Sequence, residues 1–235
     1  MQFPKTSWTI LARATLNGDS EGQRALDEVC QLYWRPVYSA ICAFGTGGED
    51  AEDLTQSFFR YLMVNSTLRS AERGKGKFRT FLLTVLWRFI RDERAKRDAQ
   101  KRGGCAEIFS LEETSDDTLP SEAAPMAEAL DREWGLTVFQ RVIEILRNET
   151  VAARGEDAWK ILREYLPGSL HTAVMAESAA ALGLSEGGLR SEVHRLRKRC
   201  REILRRELIS TVLSPEDVHE EIVYLGRVLR SQAKA

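Results

Sequence analysis

Glu49, Asp50, Glu52 and Asp53 place four carboxylates within five residues. Carboxylates this close have two uses. They hold a divalent cation when they converge on one point, or they form an acidic helix face that meets a cationic partner. Two-metal hydrolysis or phosphotransfer needs convergence from several chain elements. Here an apolar helical pattern follows at once, with Leu54, Phe58, Tyr61 and Leu62 on one stripe. Asp50 reads as an N-cap with Asp53 at the third helical position, where acid suits the helix dipole. Glu52, Asp53 and Gln56 fall off the apolar stripe. The spacing predicts a presented acidic surface and no metal cage.

Other spacings that could carry chemistry do not close. His219 opens "HEEIVY", but Val223 stands where a metal-binding H-E-x-x-H helix needs its second histidine. No P-loop occurs. "GKGK" (Gly74 to Lys77) lacks the leading glycine and spacing of a phosphate-cradling loop. It reads as a basic loop able to approach a phosphate backbone, and equally as an exposed helix entry. Cys30, Cys42, Cys105 and Cys200 form no C-x-x-C, and only three histidines accompany them (His171, His194 and His219). Neither a zinc site nor a disulfide framework is expected. The residues predict no enzyme, no metal and no cofactor.

The elements that would position these residues are helical almost throughout. The 235 residues carry 34 Lys plus Arg against 35 Asp plus Glu, yet the charges are segregated. Arg73 to Arg102 hold 11 basic and 3 acidic residues, Glu107 to Glu133 hold 9 acidic and 1 basic, and Gly187 to Arg206 hold 8 basic and 2 acidic. Two basic blocks around an acidic one suggest two nucleic-acid surfaces and a connector, or else solvated helix faces. The start "MQFPKTSWTILARA" has no long apolar core, and no run approaches membrane-spanning length. A reducing cytoplasm and no membrane insertion are expected.

Glu21 to Phe44 predict a helix with Leu26, Val29, Leu32 and Tyr33 on its face, interrupted or kinked at Pro36. Phe78, Phe81, Leu82, Val85, Leu86, Phe89 and Ile90 give the clearest amphipathic helix. Lys77, Arg79, Arg88, Arg91 and Arg94 are expected around its other sides. Trp87 among them could stack on an unpaired base, or lie half covered at the edge of the core. "GGCAEIFSLEETSDDTLPSEAAP" reads as a linker. A second helical region starts near Ala127. Trp134, Val138, Val142, Ile145 and Leu146 pattern one helix, and Ala158, Ile161, Leu162 and Tyr165 another that stops at Pro167. An Ala-rich helix then ends at Gly183, and "LSEG" leads to a basic helix whose apolar positions are Leu189, Val193, Leu196, Cys200, Ile203, Leu204 and Leu208. Helix, glycine-containing turn and basic helix have the sequence form of a DNA-binding helix-turn-helix, or of an ordinary helical hairpin with a basic surface. Last, Ser214, Pro215 and Asp217 predict a capped helix from about Pro215 to Arg230. It is expected to fold back on the chain, as a brace on the basic helix's outer flank in preference to a lid over its DNA-reading side.

"DAEDLTQSFF" (Asp50 to Phe59) resembles the D-A-E-D-L-x-Q motif of the extracytoplasmic-function (ECF) sigma factors of bacterial RNA polymerase. "LGLSEGGLRSEVHRLRKRCREIL" (Leu182 to Leu204) resembles their C-terminal helix-turn-helix. The order of elements also fits, over roughly residues 20 to 209. The resemblance implies an all-α chain of two helical domains. Residues 1–102 would bind core polymerase and the minus-ten element, 103–126 would be an acidic flexible linker, 127–209 would carry the helix-turn-helix, and 210–235 would be a helical extension. It implies that Asp50, Glu52, Asp53 and Gln56 dock on the clamp helices of the largest polymerase subunit. Lys77, Arg79, Trp87, Arg88 and Arg91 would meet the melted minus-ten strand. Arg88 stands where the family often has asparagine. Ser185, Arg190, Ser191, His194, Arg195, Arg197 and Lys198 would meet the minus-thirty-five duplex. The polymerase flap and promoter DNA are the other implied partners, and an anti-sigma factor is one the resemblance allows. The implied role is transcription initiation. The alternative is a helix-turn-helix regulator acting without polymerase docking.

Overall fold

The computed structural model describes residues 20–64, 77–101, 119–167, 174–209, 212 and 216–231. Gly74 to Gly76, Cys105, most of the expected linker, His171, Ser214 and Pro215 lie outside the described residues, as do the side chains of Leu26 and Leu229. Among the described residues every regular element is helical and no strand occurs. Eight α-helices follow in order: α1 (Ser20–Ala43), α2 (Gly48–Val64), α3 (Phe78–Lys101), α4 (Ala124–Arg154), α5 (Glu156–Leu162), α6 (Met175–Ala181), α7 (Glu186–Ile209) and α8 (Asp217–Ser231). Tight single turns precede α4 (Ser121–Ala123) and follow α5 (Arg163–Tyr165).

The chain divides into two compact units. One comprises Met1–Leu136 with Ser210–Ala235, the other Thr137–Ile209. The boundary falls inside α4, and α8 belongs to the first unit.

In the first unit α1 packs on α2, and α3 packs against α2. Tyr33, Val37 and Ile41 of α1 are buried, as are Leu54, Phe58 and Leu62 of α2 and Leu82, Leu86 and Ile90 of α3. Each such side chain contributes about 1.5–3 kcal/mol of burial. Tyr33 meets Phe78 edge-on, with ring centroids 5.1 Å apart, and Phe58 meets Phe89 at 5.5 Å. Of the two expected outcomes at Pro36, an interruption is not seen, because α1 continues through it. The proline sits inside the helix, where the buried stripe runs through it from Tyr33 to Val37 and Ala40. Packing on both sides outweighs the hydrogen bond that proline cannot donate. Residues 121–126, expected in the linker, are helical instead, and Ala123 and Met126 are buried.

In the second unit Val142, Leu146, Trp159, Leu162, Leu189, Val193, Leu196 and Ile203 share one core. Glycine makes two of its corners. Gly155, at φ +85°, receives the end of α4 through its N–H to the Val151 carbonyl (2.8 Å). Its own carbonyl accepts the Trp159 N–H at the start of α5. Gly183, at φ +64°, ends α6. The Leu184 N–H reaches the Ala179 carbonyl at 2.8 Å and the Gly183 N–H the Ala180 carbonyl at 3.0 Å. This double closure needs the left-handed conformation that glycine adopts without a Cβ penalty.

Candidate functional site

The acidic group lies at the start of α2. The helix begins earlier than expected, at Gly48, with Glu49 and Asp50 in its first turn. The Ala51 N–H already bonds the Gly47 carbonyl (2.8 Å), so Asp50 is within the helix and is not its cap. Asp50, Glu52, Asp53 and Gln56 are all exposed, while Ala51, Leu54, Thr55, Phe58, Phe59 and Leu62 are buried. The carboxylates therefore line the outer side of one helix and do not converge. Among the described residues no three His, Cys, Asp or Glu side chains stand close enough to hold a metal. Trp34 of α1 stacks on Phe59, with ring centroids 5.6 Å apart, and is itself exposed.

On α3 the expected strand-binding residues separate into three groups. Arg91 is exposed and Arg88 half-buried. Trp87 is half-buried and meets Phe44 edge-on at 5.1 Å, which is the core-edge arrangement. Phe44 also carries Arg94, whose guanidinium lies 3.9 Å from the ring centroid and donates to the Phe44 carbonyl.

Arg79 is placed differently from the expectation. It is 5% exposed and does not face outward. Its Nε lies 2.5 Å from Asp131 Oδ1 of α4, and its Nη1 lies 2.5 Å from Glu221 Oε1 of α8. The guanidinium stacks 4.4 Å above the Trp134 ring. Lys77 donates to the other Glu221 oxygen at 2.5 Å, and the Tyr224 hydroxyl donates to Asp131. The reason is angular: Arg79 shares a face with Leu82, Leu83, Leu86 and Ile90, all buried. A buried arginine needs counter-charges, and Asp131 and Glu221 supply them. Burial works to raise the Glu221 carboxyl, yet the bonds from Arg79 and Lys77 outweigh it and hold the group below its ordinary range. For Tyr224, burial and then the bond to Asp131 push the phenol up. The C-terminal helix thus pairs its Glu221 with Lys77 and Arg79 at the start of α3, and its Tyr224 with Asp131 of α4.

The basic helix of the second unit is α7. Ser185 caps it, accepting the Gly188 N–H at 3.1 Å, while its carbonyl takes the Leu189 N–H. Ser185 is thus occupied by the helix start. Arg197 Nε donates to the Tyr165 carbonyl at 2.8 Å, which ties that side chain to the core's rim. Arg199 grips Glu149 with both forks, at 2.8 and 2.7 Å, and Arg154 pairs with Glu192 at 2.7 Å. Arg199 holds the Glu149 carboxyl below its ordinary range by this bond. One edge of α7 is therefore committed to α4, and the opposite edge, through Arg197, to the turn after α5. The open flank between them carries Arg190, Ser191, His194, Arg195 and Lys198, all exposed. Arg201 and Arg205 continue it and are exposed too. Sequence reasoning passed them over, although their spacing of three and seven residues from Lys198 marks the same face.

Among the described residues no helix is long and apolar enough to cross a membrane. No protein-family model matches the chain, and no curated protein matches its sequence.

Proposed function

We propose that this chain is an ECF-type sigma factor that docks on core RNA polymerase and directs promoter-specific initiation, without covalent chemistry of its own. The observation that carries the reading is the outward row of Asp50, Glu52, Asp53 and Gln56 on α2, backed by a largely apolar inner side in which Thr55 bonds the Ala51 carbonyl. The row suits a partner surface rich in Lys and Arg, where complementary charge sets orientation and association rate.

In this reading α6, the turn at Gly183 and α7 form a helix-turn-helix. The open flank of α7 enters a duplex major groove, with Arg190, Ser191 and His194 nearest the base edges and Lys198, Arg201 and Arg205 nearer phosphates. Lys77, Arg88 and Arg91 of α3 meet the unpaired strand, while Arg79 serves as an internal anchor. The two compact units then act as the polymerase-docking and duplex-reading domains.

Run-off transcription with purified core polymerase on a promoter library tests the proposal. Initiation at a defined set of promoters, dependent on this chain, is the expected result. Duplex binding that needs no polymerase, with no run-off product, would favour a helix-turn-helix regulator instead.

A further inference from the structure

The charge network under α8 joins two cations, Lys77 and Arg79, to two carboxylates, Asp131 and Glu221. The two cations differ in position. Arg79 points into the core and is closed off. Lys77 is 39% exposed. It also begins α3, since its carbonyl accepts the Thr80 N–H at 3.0 Å. Its intervals of seven, eleven and fourteen residues to Thr84, Arg88 and Arg91 put it in line with two half-buried residues and the exposed Arg91. Glu221, fully buried, holds the Lys77 ammonium at 2.5 Å.

Each Glu221 oxygen has one cation, Oε1 with Arg79 Nη1 and Oε2 with Lys77 Nζ, both at 2.5 Å. Losing Lys77 would leave this buried carboxylate with a single cation, so whatever withdraws Lys77 weakens the seat of α8.

We propose that α8 is a built-in brake on nucleic-acid binding by α3, in which the Glu221 carboxylate competes with a strand phosphate for Lys77. The inference rests on the reading of α3 as a strand-binding helix. Arg79 holds Glu221 in place, and Lys77 is the group shared between the two anions. Because coupling between two binding events is reciprocal, strand binding at Lys77 loosens α8, and loosening α8 strengthens strand binding.

The test is a double-mutant cycle on the full chain, with a labelled 20-nucleotide single strand of random sequence as probe. Glu221→Gln is near-isosteric and removes the competing charge. It should tighten strand binding by about 5-fold or more. Lys77→Gln should weaken binding, and adding Glu221→Gln to it should give no gain. In the wild type, saturating strand should speed hydrogen exchange across residues 217–231. Unchanged or weaker binding by Glu221→Gln overturns the brake. So does an equal gain in the Lys77→Gln background, which would reflect only a lost negative charge, and so does an absence of strand binding by any variant. Run-off transcription on the same preparations keeps the two readings apart. No core-dependent product would remove the sigma-factor reading, while the cycle would still report the competition for Lys77.

Discussion

Arg79 and Glu221 lie 142 positions apart in sequence, and Arg79 Nη1 sits 2.5 Å from Glu221 Oε1 with both side chains almost wholly buried. This pair joins the start of α3 to α8 and makes the C-terminal helix part of the first unit. An isolated helix of 15 residues is marginal in water. The pair, with Val218 and Leu225 buried beside it, gives α8 its place. Arg79→Ala leaves the buried Glu221 and the half-buried Asp131 with too little counter-charge. It should destabilise the chain by about 3–5 kcal/mol in denaturant unfolding. Arg91→Ala, at an exposed position, should change stability by no more than about 0.5 kcal/mol.

The same pair predicts a dependence on acid. Glu221 in the folded chain has its carboxyl held below the ordinary value of 4.5. The unfolded chain therefore binds the proton more readily, and the stabilisation is present above that value. It is lost as pH falls through the lower folded value. Glu221→Gln lacks this contribution at every pH. Thermal unfolding of the two proteins between about pH 7 and 3 should show the gap between them narrowing as acid is added. A constant gap would mean that the charge on Glu221 does not stabilise the fold.

Polymerase docking is tested by reversing the outer row of α2. Glu52→Lys with Asp53→Lys changes two exposed side chains and no buried one, so the melting temperature should hold. Like-charge contacts at an interface cost several kcal/mol, and pull-down with core polymerase should fall at least about tenfold. A folded double variant that binds normally would remove the docking role.

Readout by α7 divides into two kinds of contact. Arg190→Ala should cost about 1–3 kcal/mol and relax preference at one base pair. Lys198→Ala and Arg201→Ala should weaken all duplexes alike and make the salt slope shallower. Arg199→Ala should act on stability instead, because both of its forks are spent on Glu149. Binding profiles over a randomised site, set beside unfolding curves, distinguish the three effects.

Trp87 meets Phe44 edge-on, and such pairs contribute about 0.5–1.5 kcal/mol beyond area. Trp87→Ala should therefore lower the unfolding midpoint. A variant of unchanged stability that loses single-strand affinity would reassign the ring to base stacking.

Much of this protein was legible in its sequence because helices write a three-to-four-residue period into one continuous stretch of chain. Leu54, Phe58 and Leu62 declared the inner side of α2, and Glu52, Asp53 and Gln56 its outer side, before any neighbour was known. The apolar faces of α3 and α7 were legible for the same reason. Residue type misled where it was allowed to outweigh position. Arg79 was grouped with the outward cations although it lies in register with Leu82, Leu86 and Ile90. At Pro36 the local sequence leaves an interruption and a kink both open, because the packing on either side of it belongs to other elements.

What the tertiary structure alone decided are the pairings between distant segments. Nothing local to Lys77 or Arg79 names Glu221 as their partner, and nothing in α7 says that Arg199 is spent on Glu149 while Lys198 is left exposed. Such pairings depend on which helix faces meet. A buried charge is tolerated only where another part of the chain brings its counter-charge within reach. The period of a helix tells which way each side chain points, and the fold tells what it points at.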